Sequence, residues 1–162
     1  MPRFKVYLDS SAISFLYADD APDFQSVTRD FFENYSHNFD LFISQVVLRE
    51  IDRTVDAALR EALKRVVEEY PISILAEDEA EEVDDLAAAY LDAEVLPRSQ
   101  IEDAYHVAYA TVHEMDILLS WNFKHLANVN REVRIQEANR VRGYWKPLRI
   151  VSPLEVVSEN DE

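Results

Sequence analysis

The chain has 162 residues and a formal charge of −16, enough length for one domain with its own core and too little for two ordinary ones. With no cysteine it has no disulfide framework and no thiolate metal site, and with a single glycine, Gly143, it lacks the loops that cradle phosphates or dinucleotides. No apolar run approaches the roughly 20 residues that span a bilayer, and "MPRFKVYLD" has no signal-peptide core, so a cytoplasmic protein is expected.

A short buried strand is predicted over 4–9, with a helix from Ser10 or Ser11 carrying Ile13, Phe15, Leu16 and Tyr17. "DDAPD" breaks it, and a second helix runs from about Phe24 with Val27, Phe31, Phe32 and Tyr35 at helical spacing. A strand over 40–45 leads into a long helical stretch to Tyr70, broken near Thr54 where Asp56 starts a new helix. Val47, Ile51, Val55, Ala58 and Ala62 mark its inward face. After Pro71 comes a strand over 72–76, then an acidic helix over 78–94 with Val83, Leu86, Ala87, Tyr90 and Leu91 inward. A helix from Ser99 to Glu114, with Ile101, Ala104, Ala108 and Val112 on its apolar face, precedes a strand over 116–121. A turn of helix at "FKHLAN", a helix over 131–142 and a last strand at "LRIVSP" complete the order. The alternation predicts an α/β fold with a mostly parallel sheet, one domain over 1–153 and a polar acidic tail over 154–162.

Charge is unevenly spread. Residues 77–94 hold nine acids and no base, whereas 124–149 hold Lys124, Arg131, Arg134, Arg140, Arg142, Lys146 and Arg149 against Glu132 and Glu137. The overall charge opposes nonspecific nucleic-acid binding, but the basic third can meet phosphate locally.

In an open parallel sheet, ligands bind at the carboxyl ends of the strands. Asp9 falls at the end of the first strand, Glu50 on the helix after the second, Asp103 early in the helix leading to the fourth, and Asn122 just past the fourth. Each has an ordinary explanation alone: Asp9 as a helix cap, Glu50 as a surface charge between Arg49 and Arg53, Asp103 as a first-turn acid favoured by the helix dipole. Together they form a set of hard oxygen ligands suited to Mg2+ or Mn2+. His106, one turn from Asp103, either contacts substrate, orients a carboxylate or is a hydrogen-bonded packing residue. Lys124 and Arg131 are candidates for gripping a phosphate backbone. A phosphatase with an aspartate nucleophile needs a second acid two residues after Asp9, and Ser11 stands there.

"VYLDSSAI", "VVLREI", "IEDAYHVAYATVHEMDILLSWNFKHLAN" and "RIVSPLEVV" resemble the PIN-domain family, and within it the VapC-like toxin ribonucleases of toxin–antitoxin pairs. The resemblance spans nearly the whole chain. It implies a three-layer α/β/α sandwich and a Mg2+- or Mn2+-dependent endoribonuclease. Asp9, Glu50 and Asp103 match the family's acids; Asp9 and Asp103 are the expected direct ligands, and Glu50 ligates or acts through a water. Asn122 stands where the family often has Asp, which implies a weaker or vacant second metal site. Ser10 or Ser11 matches a hydroxyl that supports the metal shell. The resemblance also implies an antitoxin partner and a homodimer, with Phe31 and Phe32 as the expected pairing surface. The alternatives are a PIN-like module that binds RNA or protein without cutting, and an interaction protein using the acidic helix.

Overall fold

The structure, a computed structural model, describes residues 3–157. Five strands form one parallel sheet in the order β3-β2-β1-β4-β5: β1 (Lys5–Leu8), β2 (Asp40–Ile43), β3 (Ile72–Ile74), β4 (Ile117–Leu119) and β5 (Arg149–Val151). Parallel sheets of this kind need both faces covered. Accordingly Val6, Tyr7 and Leu8 in β1, and Leu118 and Leu119 in β4, are all fully buried although successive side chains point to opposite faces. The expected three-layer α/β/α arrangement follows, with the helices flanking the central sheet.

Local sequence accounts for most of the element boundaries. Asp9 caps α1 (Ser10–Ser14), Ser44 caps α3 (Gln45–Asp52), and Asp56 caps α4 (Ala57–Glu69) through bonds from the Ala58 and Leu59 amides. Pro22 opens α2 (Pro22–Asp30) two residues earlier than expected, since proline is well suited to the first helical turn. Tyr70, held extended before Pro71, ends α4. In α5 (Ala80–Asp92), Val83, Leu86, Ala87, Tyr90 and Leu91 all face inward as expected, and the acids form the solvated side. Helix α6 (Ile101–Val112) runs through the core, and α7 (Val129–Val141) packs outside it.

Five expectations change. Val55 is 96% exposed and Ala58 is also exposed, because the break after α3 resets the helical phase; α4 turns Leu63 and Val66 inward instead. Ile101, on the first turn of α6, is half exposed. Phe31 and Phe32 are 0% and 2% exposed, packed edge-on to one another and against Phe39 and Tyr70 respectively. They belong to the core and offer no pairing surface. Residues 123–126 form a hydrogen-bonded turn in place of a helix. The segment expected as a tail begins in helix α8 (Pro153–Val156), and residues 158–162 lie outside the described residues.

Strand order fixes where a site can form. The chain steps from β1 to β2 to β3 on one side, then crosses to β4 on the other side of β1. The carboxyl ends of β1 and β4 therefore flank the switch point, where crevices open in such sheets. Asp9 leaves β1 there, and Ser120, Trp121 and Asn122 leave β4.

Candidate active site

Asp9 caps α1 and stands at the switch point. Its carboxylate accepts from the Ala12 amide (3.0 Å) and from the Ser11 hydroxyl (2.6 Å), while its own amide donates to Leu119 of β4 (3.3 Å). Ser11 Oγ in turn accepts from the Trp121 amide (2.9 Å), which ties the ends of β1 and β4 together. Asp9 is 3% exposed. Burial pushes its carboxyl above the usual range, against the opposing pull of His106 and the Ser11 and Ser120 hydroxyls.

Asn122 carries the same edge towards α6. Its amide nitrogen Nδ2 donates to Asp103 Oδ2 (2.8 Å), its Oδ1 accepts from the His125 amide (3.0 Å), and its backbone amide donates to Ser120 Oγ (2.9 Å). Asp103 is pushed up to about 6: burial is the largest cause, followed by repulsion from Asp9, Glu50 and Glu102, with His106 opposing. Asp9 and Glu50 thus act electrostatically on Asp103, so the acids scattered through the sequence share one edge of the sheet.

Glu50 reaches this edge from α3 through His106. Glu50 Oε1 meets His106 Nε2 at 2.7 Å, and His106 Nδ1 meets the Tyr7 hydroxyl at 2.7 Å, itself 2.7 Å from Ser44 Oγ. Burial would raise the Glu50 carboxyl, but the His106 bond and charge, with Ser10 and Arg53, hold it below the ordinary range. For His106 burial would lower the pKa, and Glu50, Asp9 and Asp103 outweigh it and raise it. Both shifts favour an imidazolium paired with a carboxylate. An imidazolium donates from both nitrogens. In that form Nδ1–H would donate to Tyr7 Oη, leaving the Tyr7 hydroxyl to donate to Ser44. His106 is 2% exposed and both its ring nitrogens are engaged within the protein, so its position in the structure is that of a residue holding Glu50.

The remaining expected residues divide. Ser11 positions Asp9. Ser10 Oγ is buried and makes no hydrogen bond of ordinary geometry, although it lies close enough to Glu50 to favour its charge. The Arg131 guanidinium donates to the Val95 carbonyl (2.6 Å) and feels the charge of Asp103, which leaves it at the margin of the site. Lys124 is exposed on the turn after Asn122. Tyr7, Ser44 and Ser120 were not anticipated. Tyr7 had a signal: it lies two residues before Asp9 on a buried strand, hence on the same face, with a hydroxyl that requires a partner.

The donor set is that of a hard cation: three carboxylates and an amide oxygen, with one imidazolium against the three acids. The spacing is looser than the chemistry. Among the described residues no group of three or more His, Asp or Glu side chains is gathered so that it could hold a metal ion. Glu50 is engaged by His106, and Asp103 by Asn122. A cavity of about 520 Å³ lined by Phe4, Asp116, Lys146 and Arg149 lies at the amino-terminal edge of the sheet, away from all these groups.

The shifted carboxyls have a measurable consequence. An acid with a raised folded pKa binds a proton that the unfolded chain releases, so its effect is to lower stability as pH rises through that interval. For Asp103 the interval runs from the ordinary 3.8 to about 6, and Asp9 acts in the same sense. Glu50, shifted down, acts oppositely, stabilising above its ordinary 4.5 and losing that effect at lower pH. Thermal melts in chelator are expected to show a melting temperature that declines from pH 4.5 to 6.5, with a shallower decline in Asp103→Asn.

No protein-family model matches the chain, and no curated protein matches it. Among solved structures it is similar to a chain of VapBC2 from Rickettsia felis bound to a DNA fragment from their promoter. The TM-score is 0.55 with 10% identity over 92% of this chain and 98% of that one. At that identity the likeness is one of fold. No described helix is long and apolar enough to cross a membrane. The parallel five-stranded sheet, its flanking helices and this structural match together give the chain the three-layer, PIN-like α/β/α fold that the resemblance implied.

Proposed function

We propose that the chain is a divalent-metal-dependent endoribonuclease that hydrolyses RNA phosphodiester bonds, and that it is the toxin of a toxin–antitoxin pair. The observation that supports this most is the convergence of Asp9, Glu50, Asp103 and Asn122 on the β1/β4 switch point of a PIN-like sheet. Asp9 and Asp103 would hold Mg2+ or Mn2+. Such an ion supplies an activated water and polarises the phosphoryl oxygen. The chain's own groups set the geometry: Ser11 fixes Asp9, Asn122 orients Asp103, and His106 holds Glu50 ionised. Asn122 brings no charge, which favours one ion over two. Lys124 and Arg131 border the site where the RNA backbone would run.

The same reading brings an antitoxin that covers the acidic edge, a cytoplasmic setting and a homodimer; the dimer needs a surface other than Phe31 and Phe32, which are buried. A second reading, a PIN-like module that binds without cutting, is favoured by the loose spacing of the carboxylates. One assay separates the two. Purified protein is incubated with a panel of single-stranded and structured RNAs, with Mn2+, with Mg2+ or with chelator. The nuclease reading expects metal-dependent cleavage of at least one RNA. Binding with no cleavage in any metal supports the module.

A further inference from the structure

The residues beside Asn122 form a second feature that the carboxylates do not use. Trp121 is 4% exposed, and its indole Nε1 donates to Thr28 Oγ1 (2.8 Å), which fixes the ring. Phe24 stacks on it with centroids 4.4 Å apart and planes 25° apart, and Phe15 stacks at 5.6 Å and 14°. Phe123 closes the cluster edge-on, 5.9 Å from both Trp121 and Phe24. Unlike Trp121, Phe123 remains 42% exposed. The turn that bears it is held tightly: the Asn122 carbonyl accepts from the Leu126 (3.0 Å) and Ala127 (2.8 Å) amides.

A lone exposed phenylalanine is ordinary on a protein surface. Phe123 differs in being the outermost ring of an anchored four-ring cluster, set between Asn122, which touches Asp103, and the exposed Lys124. Along this rigid turn the exposed ring is one residue from the side chain that bonds Asp103 and one residue from an exposed cation. Net charge bears on the mode of contact. On a chain of formal charge −16, phosphate contacts alone give little affinity, whereas stacking works on any base and is not screened by salt.

We propose that Phe123 is a stacking platform for one nucleobase of a single-stranded RNA, adjacent to the phosphate at the acidic edge. The choice of RNA rests on the nuclease reading; the platform is tested by binding, independently of cleavage. Fluorescein-labelled oligoribonucleotides are titrated with the full chain in Ca2+ and followed by anisotropy, for wild type, Phe123→Ala, Phe123→Leu and Phe123→Trp. Stacking on one base is worth about 1–3 kcal/mol, so Phe123→Ala and Phe123→Leu are expected to bind about 5- to 150-fold more weakly, with Phe123→Trp at wild-type level. An oligonucleotide made abasic at the stacked position is expected to bind wild type and Phe123→Ala equally. The salt dependence is expected to be unchanged in Phe123→Ala and shallower in Lys124→Ala. Wild-type affinity in Phe123→Ala, or in a folded Phe123→Leu, overturns the proposal and leaves the ring to a protein partner. Absence of cleavage in Mn2+ with the stacking effect intact overturns the nuclease reading alone.

Discussion

Asp9→Asn is expected to slow RNA cleavage by orders of magnitude while leaving the fold intact. Asparagine is as good a helix cap as aspartate, so the Ala12 amide keeps its acceptor and α1 keeps its start. What disappears is a negative charge that burial opposes more strongly than His106 and the Ser11 and Ser120 hydroxyls favour it. Removing it relieves that burial cost, so the melting temperature in chelator is expected to stay level or rise. Cleavage is expected to fall by on the order of 100- to 1,000-fold, the scale at which loss of one preorganised electrostatic group slows an enzyme. The opposed directions matter. If Asp9 is only a cap, Asp9→Asn changes neither quantity and Asp9→Ala lowers stability by about 1 kcal/mol. A cleavage assay run beside a thermal melt separates the two roles.

His106→Ala is expected to have the largest effect on stability. The imidazole spans Tyr7 and Glu50 and is fully enclosed, so its loss opens a cavity and leaves two polar groups without their partner. Breaking one half of a buried ion pair costs about 3–5 kcal/mol; with Glu50 partly exposed, about 2–4 kcal/mol is expected. For a domain of this size that is a fall of roughly 5–15 °C in melting temperature. Tyr7→Phe removes only the hydroxyl and is expected to cost about 1 kcal/mol. If His106 acts by holding Glu50, then Glu50→Gln in the His106→Ala background is expected to cost much less than Glu50→Gln in wild type. Additive losses measured by denaturant unfolding contradict that coupling.

Much of the architecture was legible because the signals were local. Short apolar runs closed by polar residues marked the strands, Asp56 and Pro71 marked helix ends, and the acidic helix had a clean inward face. What failed depended on phase or on three-dimensional cover. Val55 fits a helical repeat drawn from Val47 through Ala62, but the break after α3 discards that phase. Phe31 and Phe32 read as an open apolar stripe, and only the fold shows Phe39 and Tyr70 closing over it. For the site, Asp9 and Asn122 could be placed together because parallel topology sends the carboxyl ends of β1 and β4 to one edge, whereas Glu50 and Asp103 stand on helices. The connections among the four could not be placed. That His106 serves Glu50 and Tyr7, while Asn122 serves Asp103, depends on side chains 56, 99 and 19 residues apart meeting at hydrogen-bond distance. The Trp121 cluster escaped for the same reason: Phe15, Phe24 and Trp121 lie on three separate segments.

On the proposed function, the acidic edge takes up a divalent ion held by Asp9 and Asp103. Titrating the chain with Mn2+ by isothermal calorimetry addresses it without any substrate. A saturable site at or below millimolar Mn2+, lost in the Asp9→Asn/Asp103→Asn double variant whose melting temperature is at least that of wild type, is the predicted result. Undiminished Mn2+ binding in that folded double variant, or no saturable site in wild type, contradicts the account.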